Sequence, residues 1–149
     1  MTEQKPIFNH IDHVEAWLSD FNAAIKVSAN KSGECKKTLE QLFLKESYWK
    51  DALAFTWCLE TYCGANVIAK KLQHITAENS IGQLELDKNA TPPSLVNRAG
   101  TEVIEAFLTF NTSVARCRGI LRLSPDNGEP TGLRAWTFFT AIDALVGFV

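Results

Sequence analysis

From Val96 to Leu121 the apolar residues recur in steps of three and four: Val96, Ala99, Val103, Ala106, Phe110, Val114, Cys117 and Leu121. That spacing places all eight on one side of an α-helix. No proline falls inside the run, and Thr91-Pro92-Pro93 just before it suits a first helical turn. A helix with so long an apolar seam must bury it against other elements. The seam therefore points to helices packed on helices.

The rest of the chain reads in the same way. Asn9 can cap a helix that runs to about Ala29, with Ile11, Val14, Leu18, Phe21 and Ile25 forming one stripe. A second helix is expected from about Glu34 to Lys45. The stretch "YWKDALAFTWCLETYC", Tyr48–Cys63, reads as a third helix capped by Ser47, and Gly64 ends or kinks it. Ala65 to about Glu78 reads as a fourth. "NSIGQLELDKNATPP" lacks a sustained period and reads as a loop, with an extended piece at Gln83–Leu86. "SPDNGEP" is a turn by composition. A last helix follows from Thr131. The expectation is an all-α single domain over residues 1–149, a compact bundle of about six helices with an irregular connection near residues 79–93.

Composition limits the partners. The 149 residues carry a formal net charge of −2, so a broad positive field for nucleic acid is not expected. The N-terminus has no basic start followed by an apolar core, and so does not read as a secretory signal. Cys35, Cys58, Cys63 and Cys117 form no C-x-x-C pair, which suggests reduced thiols in a cytoplasmic protein. The apolar run "LRAWTFFTAIDALVGFV" carries Arg134 and Asp143, so a membrane span is not expected. Asp143 should contact an arginine, with Arg116, Arg118 and Arg134 as candidates. All ten lysines lie at or before Lys88 and all five arginines at or after Arg98, which suggests paired charges in the C-terminal half.

Chemistry candidates are few. On a helix, Cys58 and Cys63 would point about 140° apart, too far round the axis to share a metal ion. His10 and His13 stand three apart, but His74 is the only other histidine to complete a site. No Gly-x-Ser-x-Gly or phosphate-binding glycine loop is present. Neither a metal, a cofactor nor a catalytic set is therefore expected. In the helical reading, Tyr48, Phe55, Leu59 and Tyr62 face the core. Trp49, Leu53 and Trp57 make a second stripe on which a partner could dock. Arg118 and Arg122 could grip an acidic partner or a phosphate.

Four segments, "YWKDALAF", "NRAGTEVIEAF", "SVARCRGILRLSP" and "PTGLRAWTFFTAIDALVGF", occur in an order that resembles an uncharacterised helical family encoded beside bacterial type VI secretion systems. The tryptophans here are not adjacent, and the proline turn is shorter than in that family. The resemblance implies a helical domain with an accessory or adaptor role and brings no catalytic residues. The expected function is a non-enzymatic, cytoplasmic interaction protein that binds another protein, with a homodimer left open. An inhibitor or immunity-type protein that binds a toxin or enzyme is the alternative, and a small enzyme is third.

Overall fold

The computed structural model describes residues 10–27, 38–56, 58–78, 81–125 and 133–145. Its elements follow in the order α1 (His10–Val27), β1 (Phe43–Ala52), β2 (Leu59–Cys63), α2 (Ala65–Glu78), β3 (Glu85–Leu86), β4 (Ser94–Arg98), β5 (Thr101–Asn111), β6 (Ala115–Pro125) and β7 (Leu133–Leu145). This corrects the expected all-α bundle. The long seam from Val96 to Leu121 is three antiparallel strands, β4, β5 and β6. The expected core helix Tyr48–Cys63 is a strand, a loop and a second strand, and the expected last helix is β7. β-Branched and aromatic residues fill β5 and β7, and such side chains suit a pleated surface better than a helix.

The seven strands form one mixed sheet in the order β2-β1-β7-β6-β5-β3, with β4 also paired to β5. β1 and β7 run parallel, and the other pairs are antiparallel. The β4–β5 hairpin turns on Ala99 and Gly100, with φ of 52° and 81°. Two left-handed residues are what a two-residue turn needs to follow the twist of its strands, and glycine takes that conformation without a Cβ clash.

Helix formation follows the expected periodicity. In α1, Val14, Leu18, Phe21 and Ile25 are buried together with Trp17, while Ile11 is exposed. Gly64, at φ 91°, breaks the chain between β2 and α2, and α2 buries Ile68, Ala69, Leu72 and Ile75. Residues 38–41 are also helical, but β1 begins at Phe43, so the second expected helix is cut short. α1 packs across β3, β5 and β7, and α2 packs against β1 and β2. The carboxamide of Asn22 on α1 donates to Leu84 O (3.0 Å) and accepts from Leu84 N–H (2.9 Å), which fastens the chain before β3 to the helix.

Strand register divides the sheet into two faces. On the face under the helices, Ala106, Leu121, Phe138, Trp49 and Tyr62 make one row across five strands. On the other face, Phe107, Ile120, Phe139, Lys50 and Thr61 make the adjacent row. The core lies on the first face. Trp17 stacks on Phe21 (5.1 Å), and its edge meets Phe43 (5.8 Å). Trp49 packs on Phe55 (5.3 Å), which reaches Phe110 (5.4 Å). Burying a side chain of this size contributes about 1.5–3 kcal/mol relative to exposure. No helix among the described residues is long and apolar enough to cross a membrane.

Candidate interaction surface

The sequence nominated Trp49, Leu53, Trp57, Arg118 and Arg122, and the structure separates them. Trp49 is fully buried on the inner face, so it is a core residue and not a docking one. The reason is the period: on a strand, Trp49 shares its face with Asp51 and not with Leu53. Trp57 lies outside the described residues. Leu53 is exposed just past β1, held at φ 64°. A left-handed leucine costs about 1–2 kcal/mol, so the surrounding structure must impose it.

Asp51 provides that constraint. Its carboxylate is fully buried and accepts from Phe55 N–H (3.0 Å), Thr56 N–H (2.8 Å), the Thr56 hydroxyl (2.7 Å) and the Thr140 hydroxyl (2.5 Å). Thr140 in turn accepts from the indole of Trp49 (2.9 Å). Leu53 N–H closes the loop by donating to Cys58 O (3.0 Å). Both carboxylate oxygens are therefore occupied in shaping the β1–β2 loop. Sequence reasoning did not single out Asp51, because its role depends on a strand and a loop where a helix was expected. The alternation of Trp49 and Asp51 was the signal that could have found it.

Burial of Trp49 and the loop's clasp leave exposed apolar side chains along β1, β2 and their loop, at the end of the sheet formed by the described residues. Leu59 is 75% exposed, Tyr48 47% and Leu53 39%. Ala52 pairs with Leu59 and Tyr48 with Cys63 across β1 and β2, so Tyr48 and Leu59 share the outer face. The expectation that Tyr48 and Leu59 face the core is corrected, and Phe55 does lie in it. Cys58 and Cys63 are exposed thiols at this edge. Cys117 is buried; burial first, then the charges of Asp51 and Asp143, pushes its pKa up to about 11 and keeps it protonated.

The arginines occupy the same outer face. Arg116, Arg118 and Arg122 alternate along β6 with Cys117, Gly119 and Leu121, which point inward. Asp143 pairs with Arg118 (3.0 Å), one of the three arginines expected for that carboxylate, but the pair is exposed and not in the core. An exposed pair contributes under about 1 kcal/mol. Arg122 Nε donates to Glu105 (2.8 Å), and Arg98 grips the same carboxylate through Nε (3.1 Å) and Nη2 (3.0 Å). Burial alone would raise the Glu105 pKa. The hydrogen bonds and charges of Arg98 and Arg122 outweigh it, and the pKa falls below the usual value.

Open grooves lie at the rim of the described residues. One, of about 640 Å³, runs between α1 and β3 and is lined by Glu15, Asn22, Glu85, Asp87 and Lys88 among others. Another, of about 590 Å³, sits at the start of α2 beside Lys45, Asn66 and Arg134. Neither is lined by a histidine or a cysteine. Among the described residues no group of histidine, cysteine and carboxylate side chains is placed to hold a metal ion, and His10 and His13 lie on α1.

No family model matches the chain, and neither does any curated protein. Solved structures do match its fold. A nuclear transport factor 2-like protein of unknown function from Pseudomonas aeruginosa is similar over 88% of this chain and 98% of its own, with TM-score 0.59 at 8% identity. One from Mesorhizobium loti is similar over 93% and 97%, with TM-score 0.55 at 9% identity. Nuclear transport factor 2 from Cryptosporidium parvum is similar over 96% and 100%, with TM-score 0.54 at 10% identity. The chain thus has a nuclear transport factor 2-like fold, a helix-backed mixed sheet. That finding overturns the helical domain implied by the secretion-associated resemblance.

Proposed function

We propose that this chain is a non-enzymatic interaction protein that holds a partner protein on the outer face of its sheet, starting at the β1–β2 edge. The observation that carries the reading is the exposure of Tyr48, Leu53 and Leu59 at the end of the sheet formed by the described residues. Exposed apolar side chains beside strand backbone that has no partner among the described residues make a docking surface, because an added strand or loop gains both burial and hydrogen bonds. The packing of the inner face supports the same reading. Trp17, Phe21, Phe43 and Phe138 pack on one another where α1 crosses the sheet, and the buried acid Asp51 has its oxygens taken by the loop it shapes and by Thr140. An accessory role beside a bacterial secretion apparatus, suggested by the sequence segments, is one setting for such a protein. Inhibition of a toxin or enzyme is another that uses the same surface.

The test is a pull-down from the native host, read by quantitative mass spectrometry, with wild-type protein and the Tyr48→Ser/Leu59→Ser variant as baits. One protein should be enriched by the wild type and lost from the variant. If both baits retain the same proteins, or neither enriches any over an unrelated bait, the reading fails.

A further inference from the structure

The arginines are concentrated on one surface. Four of the chain's five, Arg98, Arg116, Arg118 and Arg122, leave the outer face of β4 and β6. Lys50 of β1 joins them, opposite Phe139. The carboxylates on that face are Glu105, Asp143, which meets Arg118, and Glu46, which alternates with Tyr48 and Lys50 along β1. Five cations against three anions leave a surplus of two positive charges (5 − 3), in a chain whose formal net charge is −2. Glu105 and Asp143 are already held by arginines, and among the described residues Arg116 and Lys50 form no ion pair. The row Phe107, Ile120 and Phe139 runs between the cations and is only partly buried.

We propose that this face binds an acidic segment of a partner protein, with carboxylates set on Arg116 and Arg118 and apolar residues laid along the Phe107–Phe139 row. The proposal rests on the interaction reading above and names the chemistry of its partner. Guanidinium groups suit carboxylates because the two planar forks match, and they are more weakly hydrated than ammonium groups. Arg122 adds charge from a fixed position, since Glu105 orients it. A second copy of the chain is a poor occupant. Laid face to face about a twofold axis, the two positive surpluses would oppose each other.

The probe is a short fluorescein-labelled peptide of glutamates and leucines, followed by fluorescence anisotropy at low and high salt. Arg116→Gln/Arg118→Gln should weaken binding about tenfold or more, the loss of roughly one charge-assisted contact. The Lys70→Gln/Lys88→Gln pair removes the same charge elsewhere and should leave binding unchanged. Arg116→Lys/Arg118→Lys should fall between, because it keeps the charge and loses the fork. Ala141→Glu, which places a carboxylate beside Arg118, should reproduce the loss should the glutamine pair fail to fold. Equal weakening by the lysine pair, equal binding of the glutamine analogue of the peptide, or equally tight binding of duplex DNA through the same arginines would overturn the proposal. If the native-host partner is lost with Tyr48→Ser/Leu59→Ser but kept with Arg116→Gln/Arg118→Gln, the interaction reading stands and the acidic partner does not.

Discussion

The two faces of the sheet are made from the same strands and differ in burial and charge. Along β6 the inward residues are Cys117, Gly119, Leu121 and Leu123, all buried, and the outward ones include Arg116, Arg118 and Arg122. Along β1 the inward Trp49 and Asp51 are fully buried, and their outward neighbours Tyr48 and Lys50 are exposed. A single step along a strand thus moves a side chain from the core to the proposed docking face. Core stability and the proposed recognition can therefore change separately, residue by residue.

The sharpest way to break that contrast is a pair of adjacent phenylalanines. Phe138→Ala on the inner face should cost about 3–5 kcal/mol of unfolding free energy. Phe139→Ala, partly exposed on the outer face, should cost about 1–2 kcal/mol. Urea unfolding of both variants measures the difference, and equal costs would mean that both faces are core.

Next is Asp51→Ala, which strands the Phe55 and Thr56 amides and the Thr140 hydroxyl in a buried site. It should cost about 3 kcal/mol. Glu60, its exposed register partner on β2, should tolerate Glu60→Ala within about 0.5 kcal/mol.

Glu105→Gln tests the polar network of the outer face and should cost about 1–3 kcal/mol at neutral pH, as charge-assisted bonds to two arginines weaken. The pH dependence has a definite sign. The folded pKa of Glu105 is depressed, so its stabilisation is fully present above the unfolded value of about 4.3 and is lost as the pH falls through the folded value. The gap between wild type and Glu105→Gln should therefore close in acid. A gap that is the same at pH 3 and pH 7 would contradict the ion-pair account.

The smallest effect has the opposite sign. Leu53→Gly relieves a left-handed backbone but adds freedom to the unfolded chain, so the net should be a gain of about 0.5–1 kcal/mol. Loss of stability in differential scanning calorimetry would show that the Leu53 side chain contributes packing that its exposure does not suggest.

How much of this was legible in the sequence depends on the element. The α1 and α2 periodicities were readable because each has one apolar stripe and a polar back. Residues 94–125 misled because both faces of β5 carry apolar side chains. With Ile104, Ala106, Leu108 and Phe110 inward and Val103 and Phe107 outward, steps of three and four can be traced through a strand of period two. The alternation of Arg116, Arg118 and Arg122 was the stronger signal, and Ala99-Gly100 marked the hairpin. The arginine clustering was visible as a sequence asymmetry, but only strand register puts four of them on one surface. Asp51 looked like one more charged residue, since burial on the inner face depends on the distant strand β7.

The central claim, one packed face and one face open to a partner, is tested most directly by hydroxyl-radical footprinting of the free protein and of the protein with the acidic peptide. The account predicts that Tyr48, Leu59 and Phe139 are oxidised in the free protein while Trp49 and Phe138 are spared, and that the peptide protects Phe139. Oxidation of Trp49 and Phe138 alongside Tyr48, or an outer face already protected in the free protein, would contradict it.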